Sequence, residues 1–150
     1  MTNPNNMGIS RISCSTLIEQ DSGILLVQER VRGADLFSLP GGKRDRGEAI
    51  EYCAERETKE ETGLQVAVNG LAAVYKLPGY SPKGKDTLQV VFDAVPLDGA
   101  LTPSKKHPVV EFFSDQEVED MAEAGLIKPN GTLQAVRDHF APKQPDIMLP

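Results

Sequence analysis

The alternation of apolar and polar residues divides the chain into extended segments, two short helices and one long helix. Residues 9–18 and 23–30 read as strands, with Gln20-Asp21-Ser22 as the turn between them. Residues 31–35 form a short polar stretch, and 36–39 lead into a glycine-rich turn. Residues 64–77 favour strand through Val66, Val68, Val74 and Tyr75, and Asn69-Gly70 is a turn signal at which the strand can divide. Residues 86–95 place Leu88, Val90, Phe92 and Ala94 on one face and Val91 and Val95 on the other. A short strand follows at 109–113. Residues 78–85 and 100–108 read as loops.

Helical spacing appears in three places. Ser114 with Glu117 has the capping-box spacing of a short helix. Asn130 is placed to cap a last helix over 131–140, whose apolar stripe is Leu133, Val136 and Phe140. The long helix spans about 48–62 and stops at Gly63. Strands interspersed with helices predict an α/β fold. With no internal repeat or linker, residues 1–150 read as one domain, with loosely held tails at 1–8 and 141–150.

The long helix has an unusual polar pattern. With Glu57 at the centre of a face, Ile50, Cys53, Ala54, Glu60, Glu61 and Leu64 fall on the same side. Glu51, Tyr52, Glu55, Thr58, Lys59 and Thr62 fall mostly on the other. The inward face therefore starts apolar and ends in three carboxylates. Burying one unpaired carboxylate costs several kcal/mol or forces it to take up a proton. A solvated acidic helix would spread its glutamates around the wheel, as Glu51 and Glu55 do. Glu57, Glu60 and Glu61 fit a cleft with shared counter-charge, and Mg²⁺ suits such a donor set. Ahead of the helix, Pro40-Gly41-Gly42-Lys43 is a turn whose glycines allow close backbone approach to an ion or phosphate.

Residues 42–64 resemble the Nudix box, Gly-x5-Glu-x7-Arg-Glu-U-x-Glu-Glu-x-Gly-U, where U is a bulky aliphatic residue. Gly42, Glu48, Arg56, Glu57, Glu60, Glu61, Gly63 and Leu64 are in register, and Phe37-Ser38-Leu39-Pro40-Gly41 resembles the usual lead-in. Thr58 departs from the pattern, which has an aliphatic residue there. The resemblance implies a mixed sheet sandwiched between helices. It also implies Mg²⁺-dependent hydrolysis of a diphosphate linkage, with Mn²⁺ as a substitute. Glu57, Glu60 and Glu61 are the implied metal ligands, joined by the backbone carbonyl of Gly41. The implied base is Glu57, Glu60 or a carboxylate outside the box. Arg56 is implied to orient a box carboxylate, with Glu48 as its partner. Lys43, Arg30 and Tyr80 are candidate substrate contacts, with Arg32 a weaker one. The extra acid that many small relatives carry near residue 111 is missing, since Glu111 is offset, and His107 and His139 read as lone histidines.

A nucleoside triphosphate or modified nucleotide is the favoured substrate. ADP-ribose, a nucleotide sugar or a dinucleoside polyphosphate is the alternative, and a non-catalytic nucleotide-sensing module is a minor one. The net charge of −6 argues against nucleic-acid binding. Two cysteines without a Cys-x-x-Cys motif read as buried thiols in a reducing cytoplasm. No apolar run approaches membrane-spanning length. The expected state is a monomer or homodimer.

Overall fold

The computed structural model describes residues 9–142. Its strands form two four-stranded sheets. The first has the order β5-β1-β7-β6, built from β1 (Ile9–Leu17), β5 (Gly41–Lys43), β6 (Gln65–Leu77) and β7 (Asp86–Asp98). It is mixed: β1 runs parallel to β7, whereas β1–β5 and β6–β7 are antiparallel. In the second sheet β3 (Gly23–Val31) pairs with β2 (Glu19–Gln20), β4 (Ala34–Ser38) and β8 (Val110–Ser114), all antiparallel. Among the described residues there are three helices: α1 (Ile50–Thr62), α2 (Asp115–Glu123) and α3 (Thr132–Phe140). Among the described residues no helix is long and apolar enough to cross a membrane.

The alternation read along β7 sets the layers. Val90 and Phe92 pack with Cys14, Cys53 and Ala54 beneath α1. Val91 points the other way, into the cluster of Leu17, Ile24, Leu26, Phe37, Val118 and Val136, to which α2 and α3 contribute. The mixed sheet thus lies between α1 on one face and α2 and α3 on the other, while β3 of the second sheet sends Ile24 and Leu26 into the Val91 cluster and Leu25 and Val27 to Leu64, Val66 and Ala94.

Several boundaries differ from the sequence expectation, each for a physical reason. The polar stretch at 31–35 is a tight hairpin: Val31 pairs with Ala34, and Arg32 and Gly33 both take positive φ. Asn69-Gly70 does not divide β6. The strand runs unbroken along β7, and the two residues fall at a register shift between Val68 and Gly70. Pairing with a long neighbour overrides the local turn signal. The long helix begins at Ile50 rather than residue 48, because Glu48 is occupied in the preceding loop. Asn130 sits one residue before the N-cap position of α3, yet its Oδ1 accepts the N–H of Thr132 at 2.9 Å. The capping box of Ser114 and Glu117 forms at α2. The tail expectations fall outside the described residues, apart from Ala141 and Pro142.

The end of α1 is pinned by two glycines. Gly63 caps it at φ 84°, and its N–H donates to the Lys59 carbonyl. A Cβ on Gly99 would lie 2.4 Å from the Gly63 carbonyl oxygen. Next to this contact the N–H of Thr102 donates to the Thr62 carbonyl at 2.8 Å. The loop that follows β7 is therefore fastened to the C-terminus of α1.

Candidate active site

The wheel of α1 is rotated from the expectation. Its buried residues are Cys53, Ala54, Thr58, Glu61 and Thr62. Thr58 and Thr62, placed on the outer side from sequence, are fully buried. Their hydroxyls explain the rotation. Thr58 Oγ1 donates to the Ala54 carbonyl and meets Thr16 Oγ1, both at 2.7 Å, and Thr62 Oγ1 donates to the Thr58 carbonyl at 2.6 Å. In consequence the three carboxylates are graded: Glu61 is 10% exposed, Glu57 18% and Glu60 57%. Glu60 stands at a rim rather than inward.

These residues border a cleft of about 370 Å³. The glycine turn supplies Gly41, Gly42 and Lys43, and α1 supplies Glu57, Glu60 and Glu61. Gly41 meets Glu61 through its N–H, which donates to Oε1 at 3.1 Å. Gly42 lies against Glu57, where a Cβ would come within 2.5 Å of the carboxyl carbon. The absence of a side chain at 42 is thus what gives Glu57 its place.

Arg56 organises the rim. Its Nε and Nη2 donate to the two Glu48 oxygens at 2.6 and 2.9 Å, a bidentate pair. Its Nη1 donates to Glu57 at 3.0 Å and to Glu60 at 3.1 Å. The guanidinium holds the Glu48 carboxyl down at about 2, and Glu48 raises the Arg56 pKa in turn. Glu57 and Glu61 shift the opposite way. Burial raises Glu57, against the pull of Arg56. Burial also raises Glu61, to about 8, and the neighbouring charges of Glu57 and Glu29 add to the effect.

Of the cleft residues, Glu29, Ser104, Lys106, His107 and Lys128 had gone unassigned. Glu29 on β3 pairs with Lys128 from the loop before α3. His107 places Nε2 3.5 Å from Glu61 and 3.9 Å from Glu29, and it is held by a turn with Ser104. Strand alternation carried the signal for Glu29, which continues the face of Leu25 and Val27. Nothing in the sequence signals Lys128, whose partner is 99 residues away. The same alternation turns Arg30 away: it pairs with Asp35 at 3.1 Å and does not line the cleft. Tyr80 lines a smaller cavity beside the cleft, with Lys128 Nζ 6.0 Å from its ring centre. Arg32 sits in the β3–β4 turn, Glu111 is exposed on β8, and His139 pairs with Glu19. A wider hollow of about 600 Å³ flanks α1 at Tyr52 and Lys59, but neither the glycine turn, Glu57 nor Glu61 lines it.

The donor set fits a hard cation. Carboxylate oxygens predominate, and burial and mutual repulsion press the protons of Glu57 and Glu61 upward, a strain that a cation would relieve. Among the described residues no three of these groups already surround a single point, because Arg56 draws Glu57 and Glu60 towards itself.

Comparison with known proteins agrees with this layout. A family model described as NUDIX domain matches residues 10–137. The chain is 33% identical over 114 residues to an ADP-ribose pyrophosphatase of Methanocaldococcus jannaschii, covering 74% of this chain and 66% of that protein. It is 30% identical over 131 residues to a MutT-like protein of Streptomyces ambofaciens, covering 85% and 80%. The fold matches a NUDIX hydrolase from Nitrosomonas europaea with a TM-score of 0.75 at 25% identity, over 86% and 87% of the two chains. With the box residues gathered on one cleft and the family model spanning most of its length, the chain belongs to the NUDIX family.

Proposed function

We propose that the protein is a Mg²⁺-dependent pyrophosphohydrolase that cleaves a diphosphate linkage in a nucleoside diphosphate derivative, with a nucleoside triphosphate or modified nucleotide as the favoured substrate. The observation that carries this reading is the gathering of Glu29, Glu57, Glu60 and Glu61 on one cleft with the Gly41-Gly42-Lys43 turn. A bound divalent cation would neutralise the phosphate oxygens and make water a stronger nucleophile. Glu57 and Glu61 would hold it, with Glu60 at the rim and the Gly41 carbonyl as a further donor. Glu57 is the favoured base, because it borders the cleft and Arg56 fixes its orientation. Glu60 is the alternative, since its exposure leaves it free to meet water. Lys43 and Lys106 line the same cleft and would face the substrate phosphates.

ADP-ribose is the second reading, favoured by similarity to the Methanocaldococcus enzyme. A phosphate-release screen over nucleoside triphosphates, ADP-ribose, nucleotide sugars and dinucleoside polyphosphates tests both. Turnover of at least one class with Mg²⁺ is expected, and Glu57→Gln or Glu61→Gln should remove it with the fold intact. Undiminished activity in both variants would refute the site assignment. Nucleotide binding without turnover would favour a sensing module.

A further inference from the structure

The cleft carries an imidazole that the phosphate chemistry above does not use. His107 lies between β7 and β8, and its side chain is only 9% exposed. Its Nε2 is 3.5 Å from Oε2 of Glu61 and 3.9 Å from Oε2 of Glu29. Hydrogen bonds from N–H to oxygen run at about 2.7–3.2 Å, and among the described residues the ring makes none. Nor is Nε2 sealed away, for the residue borders the cleft. Each carboxylate has one oxygen engaged. Oε1 of Glu61 accepts the Gly41 N–H at 3.1 Å, and Oε1 of Glu29 takes the Lys128 ammonium. The two Oε2 atoms are left facing the imidazole. A buried polar group without a partner calls for an explanation, and here it stands between two carboxylate oxygens that it does not bond.

We infer that Glu29, Glu61 and His107 form a site for a divalent transition-metal ion of the Zn²⁺ kind, with two carboxylate oxygens and Nε2 as its ligands. The inference rests on the cleft being a cation site, as in the reading above. It adds which ion this wall selects, and it draws two of the three ligands from outside the helix α1. Ligand atoms about 2.0–2.2 Å from such an ion lie about 3.0–3.5 Å apart, so the separations of 3.5 and 3.9 Å need closing by at most a few tenths of an ångström. Lys128 holds Glu29 back, and the three groups do not yet surround one point. Its side chain can yield without the loop. The Lys128 N–H donates to the Phe37 carbonyl at 2.8 Å, and its ammonium already stands 6.0 Å from the centre of the Tyr80 ring. Once Lys128 has left, two carboxylates balance one dication. Mg²⁺ prefers an octahedral shell of oxygens, whereas imidazole suits Zn²⁺ and its neighbours. Three protein ligands leave the fourth position of a tetrahedral ion to water or a substrate oxygen.

Calorimetric titration of chelator-treated protein with Zn²⁺ alone and with Mg²⁺ alone, in the absence of nucleotide, tests the site. Losing a group one step removed from a metal costs about 10–100-fold in affinity, so losing a ligand should cost at least as much. His107→Gln and Glu29→Gln should each weaken Zn²⁺ binding by about tenfold or more, and His107→Gln should leave Mg²⁺ affinity within about twofold of wild type. Unchanged Zn²⁺ affinity in either variant would overturn the inference. So would an equal loss for both ions in His107→Gln, which would make the imidazole a prop for the cleft and not a ligand. Proton NMR of the wild-type protein decides the matter even where a variant does not fold. The chain has two histidines. With His139 assigned through His139→Gln, Zn²⁺ should shift the ring signals of His107 and leave those of His139 in place. Ring signals of His107 that stay unmoved at saturating Zn²⁺ would overturn the inference whatever the variants do. Absence of Mg²⁺-dependent turnover with every nucleotide class would sink the hydrolase reading instead, and the metal titrations would still decide the site.

Discussion

Gly41 and Gly42 are neighbours in one turn, and the same substitution should fail in two different ways. A Cβ on Gly41 would lie 2.4 Å from the Cys14 carbonyl oxygen and 2.7 Å from the Ser15 Cα. Both belong to the backbone of β1, which cannot retreat without opening the β1–β5 pairing. Gly41→Ala should therefore cost about 1–3 kcal/mol or more of stability, as overpacking does. A Cβ on Gly42 would instead lie 2.5 Å from the carboxyl carbon of Glu57 and 2.6 and 2.8 Å from its oxygens. Carbon atoms pack comfortably at about 3.5–4.0 Å, so the carboxylate must withdraw by about 1 Å. That group is the end of a flexible side chain, and its retreat should cost less than about 1 kcal/mol. In catalysis a misplacement of about 1 Å is worth about 10²-fold. Gly42→Ala should thus melt in urea near the wild-type midpoint and lose about 10²-fold in kcat/KM. Urea denaturation and phosphate release under saturating Mg²⁺ measure the two quantities. Equal stability loss in both variants, or wild-type kcat/KM in Gly42→Ala, would refute the reasoning.

Other substitutions probe the surrounding network. Thr58→Val should cost about 1–3 kcal/mol by leaving the Thr16 hydroxyl without an acceptor, whereas Thr16→Val leaves Thr58 bonded to Ala54 and should cost less; the double variant should lie close to wild type, and a denaturation cycle checks it. Because Glu61 is raised from 4.5 to about 8, the folded protein keeps a proton that the unfolded chain releases. In metal-free protein its contribution is complete below pH 4.5 and is lost as pH rises through about 8, by at most about 5 kcal/mol. Glu61→Gln should remove that slope, so melting curves with a chelator at pH 5 and pH 8 should diverge between the two proteins. Arg56→Lys breaks the bidentate pair with Glu48 and the bond to Glu57, and should lower Mg²⁺ affinity or activity about 10–100-fold, read by metal titration.

Much of this arrangement was legible in the sequence. The box helix and its glycine turn follow from helical spacing and from residues with few other uses. The capping box at Ser114 and the alternation of β7 are equally local, and they form as read. What failed was decided by distant partners. The Thr16–Thr58 contact turns α1 so that Glu60 reaches the rim, and no helical wheel contains Thr16. β7 draws Asn69-Gly70 into a strand despite its local turn signal. Lys128 reaches Glu29 only once the loop before α3 has docked. Thr58, the one departure from the box pattern, is explained by the same contact: a hydroxyl serves there because β1 offers another.

The close approach of Gly63 and Gly99 makes the last turn of α1 and the loop after β7 a matched pair. A box transplanted from a relative would arrive shaped for a different loop, and any residue larger than glycine at position 99 would drive that loop off the helix. His107, Lys106 and Ser104 would then leave the cleft with it, although none of them had been changed. Recombination between such proteins should therefore respect this pairing: crossovers that carry 63 and 99 together keep the cleft whole, and those that part them do not.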